Sequence, residues 1–104
     1  MDPFEAIAPA ARRRLIELLS EGERTVGELV AGTGTSFSSV SQHLRILSEG
    51  NIVSSRRDGR HQIYRFNPRS MDPVADWVAD HARGFWKKKL RTLGDVLERM
   101  EHES

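Results

Sequence analysis

The chain has 104 residues, 30 % of them charged, with a net charge of +1 and no cysteine. That length suits a single domain, and the lack of thiols excludes a disulfide framework, a thiolate metal centre and a cysteine nucleophile. No apolar run approaches the roughly 20 residues of a membrane helix, and "MDPFEAIAPAARRR" starts acidic without an apolar signal core, so a cytoplasmic protein with no membrane partner is expected.

Asp2 and Pro3 have the cap-then-proline order of a short opening helix, "DPFEAIA". Pro9 opens a second, "PAARRRLIELLSEG", in which Ala11, Leu15, Leu18 and Leu19 share one face and Gly22 stands where a C-terminal glycine belongs. Arg12, Arg13 and Arg14 form a cationic turn, at least two of them expected to solvate the helix exterior. In "TVGELVAGTG", Thr25 and Glu28 have capping-box spacing, and Gly32 and Gly34 are both expected to interrupt the helix. Ser36 then caps "FSSVSQHLRILSEG", with Val40, Leu44 and Leu47 as its buried stripe and Gly50 as its end.

After Asn51 the pattern becomes extended. "IVSSRR" and "RHQIYRF" flank Asp58-Gly59, which predicts a two-residue hairpin turn, with Val53, Ile63, Tyr64 and Phe66 anchoring the strands. Asn67-Pro68 stops the second strand. Asp72 and Pro73 repeat the cap-then-proline signal and begin a helix toward Met100, roughly 40 Å long at 1.5 Å per residue. Gly84 and Gly94 are points at which it can bend or fray. The predicted order is four helices, a hairpin and a last helix. That is a mainly α winged helix-turn-helix with a small β-hairpin and an added helix at each end, one domain over residues 1–104.

Charge is unevenly spread. Residues 1–50 carry five arginines against seven acids, residues 51–70 five arginines against Asp58 alone, and residues 71–104 six basic against seven acidic side chains. A local excess of arginine marks a binding edge, although a solvated loop has the same composition. The stretch "GTGTSFSSVSQHLRILSEGN" decides what is bound. A phosphate loop of the Walker type ends in Gly-Lys-Ser/Thr, and no lysine precedes Lys87. A dinucleotide fingerprint needs a preceding strand and a third glycine, both missing.

As the turn of a helix-turn-helix, the same residues all find a use. With Val40, Leu44 and Leu47 inward, Ser38, Ser41, Gln42, Arg45 and Glu49 face outward, and Ser36 and Ser39 complete the first turn. Such a helix fits a major groove about 12 Å wide. Gln42 can bond adenine and Arg45 guanine, while the serines hold phosphates beside the helix N-terminus. His43 lies between the faces, either as a core-edge side chain or as a DNA contact. In the wing, Arg56, Arg57, Arg60 and His61 surround the turn and suit a minor groove or phosphate row.

These stretches resemble the ArsR family of bacterial winged-helix repressors. The resemblance covers most of the chain, and its specific part is "VSQHLRIL" followed by "EGNIV" and the wing "RRDGRHQIYRF". It implies a homodimer that represses transcription on a palindromic operator of double-stranded DNA. The recognition helix would span about 37–49 and the wing about 52–66, and the first and last helices would pair across the dimer. Phe4, Ile7, Val74, Trp77, Val78, His81, Phe85 and Trp86 are accordingly assigned to the dimer interface, where aromatic anchors are favoured; some of them could instead cover the protomer's own core.

The best-known members of the family sense metals. One such site uses a cysteine pair on the helix of "TVGELV", which here holds no thiol. Another uses Asp-x-His on the last helix, a spacing that Asp76, Asp80, His81, Asp95, Glu98 and His102 do not provide. No metal and no cofactor are therefore expected, and the chain looks like the members without a metal site. A metal-responsive repressor is the alternative, as is a winged-helix protein-interaction module that does not bind DNA. No nucleophile elbow, zinc-protease spacing or paired carboxylates suggest an enzyme.

Overall fold

Helix caps and apolar stripes divide the chain into α1 (Pro3–Ile7), α2 (Ala10–Ser20), β1 (Arg24–Thr25), α3 (Val26–Thr33), α4 (Phe37–Glu49), β2 (Val53–Asp58), β3 (His61–Phe66) and α5 (Asp72–His102). The computed structural model describes residues 1–102. They fall into two compact units, Met1–Pro73 and Val74 onward.

In the first unit, the Asp2 carboxylate accepts the Glu5 N–H at 2.9 Å and starts α1 as expected. Pro9 stands one position before α2 rather than inside it. Its ψ of 132° is extended, and its carbonyl accepts the Arg12 and Arg13 N–H groups at 3.1 and 3.3 Å, which is the role of a cap residue. Leu15 and Leu19 are buried and Leu18 packs against them, joined by Ile16. Ala11, assigned to the same face, is exposed.

The Thr25–Glu28 capping box is fully formed: the Glu28 N–H donates to Thr25 Oγ1 at 3.2 Å and the Thr25 N–H to Glu28 Oε1 at 3.0 Å. Gly32 does not interrupt α3. It lies inside the helix, where an added Cβ would come within 3.0 Å of Leu18 Cδ1, so its smallness lets α3 approach α2. The helix ends at Gly34, whose φ of 67° is left-handed and whose N–H caps Val30. Ser36 then caps α4 by accepting the Ser39 N–H at 3.1 Å, and Val40, Leu44 and Leu47 are buried along it. Gly50 ends α4 with φ −86°; the left-handed residue there is Asn51, at φ 59°.

Strands β2 and β3 form the expected antiparallel hairpin, but its two-residue loop is Gly59-Arg60, because Asp58 pairs with His61. Only Gly59 has positive φ, 62°. A type I′ turn, which Asp-Gly would favour, needs positive φ at both loop residues and is therefore excluded. The sheet has a third strand that the sequence reading missed. β1 pairs with β3, Arg24 opposite Tyr64 and Thr25 opposite Ile63, giving the order β1-β3-β2. Val53, Tyr64 and Phe66 share the core-side face, whereas Ile63 lies opposite Arg56 on the other face and anchors no core contact.

The last helix begins differently from expectation. Pro68–Met71 form a 3₁₀ turn that runs directly into α5, so Asp72 has helical φ and ψ of −52° and −44° and is not a cap. The helix continues for 31 residues, through Gly84 and Gly94. His81 is held within it: Nδ1 hydrogen-bonds the Trp77 carbonyl at 2.9 Å and the two rings stack. Phe85 and Trp86 meet edge to face, and the Lys89 ammonium lies over the Phe85 ring. No described residue of α5 is buried, with Trp77, Phe85 and Trp86 all 50 % exposed or more. Among the described residues no helix is long and apolar enough to cross a membrane.

Two predictions test these caps. Bonding to the Thr25 backbone N–H, then to its hydroxyl, with the charges of Arg24 and His61 adding to it, holds Glu28 below the ordinary glutamate range. A depressed folded value gives stability that is present above the unfolded value and lost as pH falls through the folded one. The difference in urea midpoint between wild type and Glu28→Gln is expected to be largest near neutrality and to close on acidification below about pH 4.3. Gly34→Ala has open space for its methyl, so its destabilisation, about 1–2 kcal/mol by urea unfolding, comes from the left-handed backbone alone.

Candidate nucleic-acid interface

The turn before α4 consumes its own polar groups. Thr33 Oγ1 donates to the Leu29 carbonyl at 2.9 Å, lies 2.9 Å from the Thr35 hydroxyl and accepts the Thr35 N–H at 3.4 Å. This is a self-bonded chain reversal, unlike a phosphate cradle with its amides turned outward.

Beyond it, burial of Val40, Leu44 and Leu47 turns Ser38, Gln42 and Arg45 into solvent, with Ser39 and Ser41 half-buried at the margins. Ser36 is exposed but already engaged as the cap. No acid stands in the first turn. Glu49 approaches Arg45 at only 4.0 Å with both side chains exposed, a contact too weak to immobilise the guanidinium.

His43 stands at the edge of the core, bonded to a side chain and not to the backbone. It is half-buried, and its Nδ1 accepts from Arg12 Nε at 3.3 Å. Arginine only donates, so Nδ1 carries the lone pair and Nε2 the proton. Arg12 also donates to the Glu5 and Ala6 carbonyls, and Arg13 to those of Ile7 and Ala8, both at 2.6 Å. Half-buried Arg12 and exposed Arg13 thus satisfy the carbonyls at the end of α1. Arg13 and Arg14 are both exposed, the two cations expected on the helix exterior, with Arg14 beside Glu17 at 3.3 Å.

The wing sorts its cations. Arg56 is held by Glu23 at 2.8 Å. Arg65 donates to Ser54 and Gln62 to Ser55, stiffening the hairpin across its strands. Arg57, next to the tip, and Arg60, in the loop itself, are exposed and make no side-chain hydrogen bond or ion pair among the described residues. His61 is exposed opposite Asp58. No group of three His, Cys, Asp or Glu side chains among the described residues could hold a metal ion.

One residue escaped the sequence reading. Phe37, the first residue of α4, precedes Val40 by three and Leu44 by seven, the spacing of the buried stripe, yet it is 64 % exposed. Periodicity alone could not reveal this, because the core stops short of the first turn.

Helices α3 and α4 with their glycine turn, followed by the β2–β3 hairpin, define a winged helix-turn-helix protein. The profile of the family described as "Bacterial regulatory protein, arsR family" matches residues 10–55, and the transcriptional repressor SdpR of Bacillus subtilis is 31 % identical over 75 residues, 72 % of this chain and 83 % of SdpR. The chain belongs to the ArsR family of bacterial regulatory proteins. Among solved structures, that of a "possible transcriptional regulator for arsenical resistance" is 38 % identical with a TM-score of 0.70, over 91 % of this chain and 95 % of that one. The homodimeric winged helix-turn-helix DNA-binding domain of Mb0332 from Mycobacterium bovis is 32 % identical with a TM-score of 0.63, over 73 % of each chain.

Arg12→Ala tests the linkage between α1 and α4. Losing its bonds should cost about 1 kcal/mol of stability, and the His43 imidazole nitrogen shifts should lose their bias toward the Nε2–H tautomer. Unchanged shifts would show that Arg12 does not orient the ring.

Proposed function

We propose that this protein is a transcriptional repressor that binds a palindromic DNA operator as a homodimer, with α4 in the major groove and the wing on the adjacent minor groove or backbone. The observation that carries the reading is the outward face of α4: Ser38, Gln42 and Arg45 exposed along a helix whose first turn has no acid and whose opposite face is anchored in the core. Gln42 and Arg45 read base edges. Ser36, Ser38, Ser39 and Ser41 hold phosphates near the helix start. Arg57 and Arg60 supply the wing's contacts, with Arg56 and His61 as secondary ones, and His43 positions the helix through Arg12.

Dimerisation is supported by the apolar ladder of α5, which ends in solvent at Trp77, Phe85, Trp86 and Leu90 in the single chain, and by the homodimeric Mb0332 domain. In this reading residues 1–104 act as one DNA-binding domain. Phe4, Ile7, Val74, Trp77, Val78, His81, Phe85 and Trp86 lie at the dimer interface. A repressor of bacterial genes works in the cytoplasm, and this one needs neither catalysis nor a bound metal, since α5 lacks Asp-x-His and the chain lacks cysteine.

The test is selection of bound duplexes from random-sequence DNA by the purified chain. A palindrome with half-sites about one helical turn, roughly 34 Å, apart is expected. Failure to retain any duplex at low salt would favour a protein-interaction module. On the selected site, Gln42→Ala or Arg45→Ala should lose about 1–3 kcal/mol and relax preference at one base per half-site. Arg57→Ala or Arg60→Ala should weaken specific and random duplexes alike and reduce the salt slope by about one per subunit.

Glu23→Gln should do the reverse. It frees Arg56 from its 2.8 Å partner, so affinity for random duplex rises and the salt slope steepens, read by fluorescence anisotropy at several salt concentrations.

A further inference from the structure

We propose that Phe37 is a specificity residue that packs against the C5 methyl group of a thymine at the end of each operator half-site. The inference rests on the repressor reading and adds an apolar contact to its polar ones.

Phe37 has helical spacing to Val40 and Leu44, which are buried, but its own ring is 64 % exposed and takes no part in the core cluster. The fold therefore does not need it. It begins the row Phe37, Ser41, Arg45, whose members stand four residues apart and so follow one another along the helix surface. That row leads from the ring onto the face presented to DNA. In helix-turn-helix proteins the leading residues of the recognition helix reach base edges, and Phe37 is the leading residue here.

The chemistry of the groove then narrows the partner. Base edges in the major groove offer hydrogen-bond donors and acceptors with a single apolar feature, the C5 methyl of thymine. A benzyl side chain can make no hydrogen bond to a base edge or a phosphate. Among the outward residues of α4, Ser38, Gln42 and Arg45 answer the polar features, and only Phe37 can answer the methyl. Its ring is removed from water when the complex forms.

The test uses the duplex recovered by selection with the full chain. Each thymine is replaced in turn by deoxyuridine, which deletes one methyl and leaves base pairing intact. With wild type, one thymine per half-site should lose about fourfold in affinity, and about fifteenfold when both half-sites are changed. Phe37→Ala should bind the thymine duplex more weakly and lose nothing further on methyl removal, while Phe37→Leu should retain part of the methyl dependence. Wild-type binding that is indifferent to every such replacement, a selected half-site without thymine, or the same loss in Phe37→Ala would overturn the inference while leaving the repressor reading intact. Failure to bind any duplex would overturn both.

Discussion

The rotation of α4 about its own axis governs everything else at the interface. Val40, Leu44 and Leu47 are buried against the same cluster as Leu15, Leu29 and Val53, and a fully buried leucine typically costs about 2–5 kcal/mol to truncate. Turning the helix by one residue, about 100°, would carry that stripe into water. The polar face of α4 is thus oriented by apolar packing on its far side, and the caps at Ser36 and Gly34 fix where the helix starts.

Once the helix is set, the arginines divide by partner. Those near α1 satisfy helix carbonyls, Arg12 linking them to His43 on α4. Arg56 is occupied by Glu23, and Arg65 stiffens the hairpin through Ser54. Within the wing, the cations left for an external anion among the described residues are Arg57 and Arg60 at its tip. A near-neutral protein can in this way present a local cationic edge.

The 31-residue α5 poses the complementary constraint. Its ladder of tryptophan, phenylalanine and leucine has no buried member in the single chain, an apolar surface of the kind that marks an interaction site. The internal ring contacts of Trp77 with His81 and of Phe85 with Trp86 order those side chains before any association, which reduces the entropy lost when a partner covers them.

Much of this was legible from residues alone. Asp2, the Thr25–Glu28 box and Ser36 announced their helices because each cap is a local exchange between residues three apart, and the stripe on α4 followed from period alone. The hairpin was placed to within one residue; the loop moved from Asp58-Gly59 to Gly59-Arg60 because strand register, set by Tyr64 and Phe66 reaching the core, overrode the local preference of Asp-Gly. What only the tertiary structure decided involved separate segments: Gly32 beneath Leu18, the two-residue strand β1 on β3, Arg12 on His43, Glu23 on Arg56, and the exposure of Phe37. Sequence determines which groups can cap, alternate or repeat, since those interactions span a few residues. Which polar group finds which distant partner, and where the core runs out, depends on distances that exist only after the chain has folded.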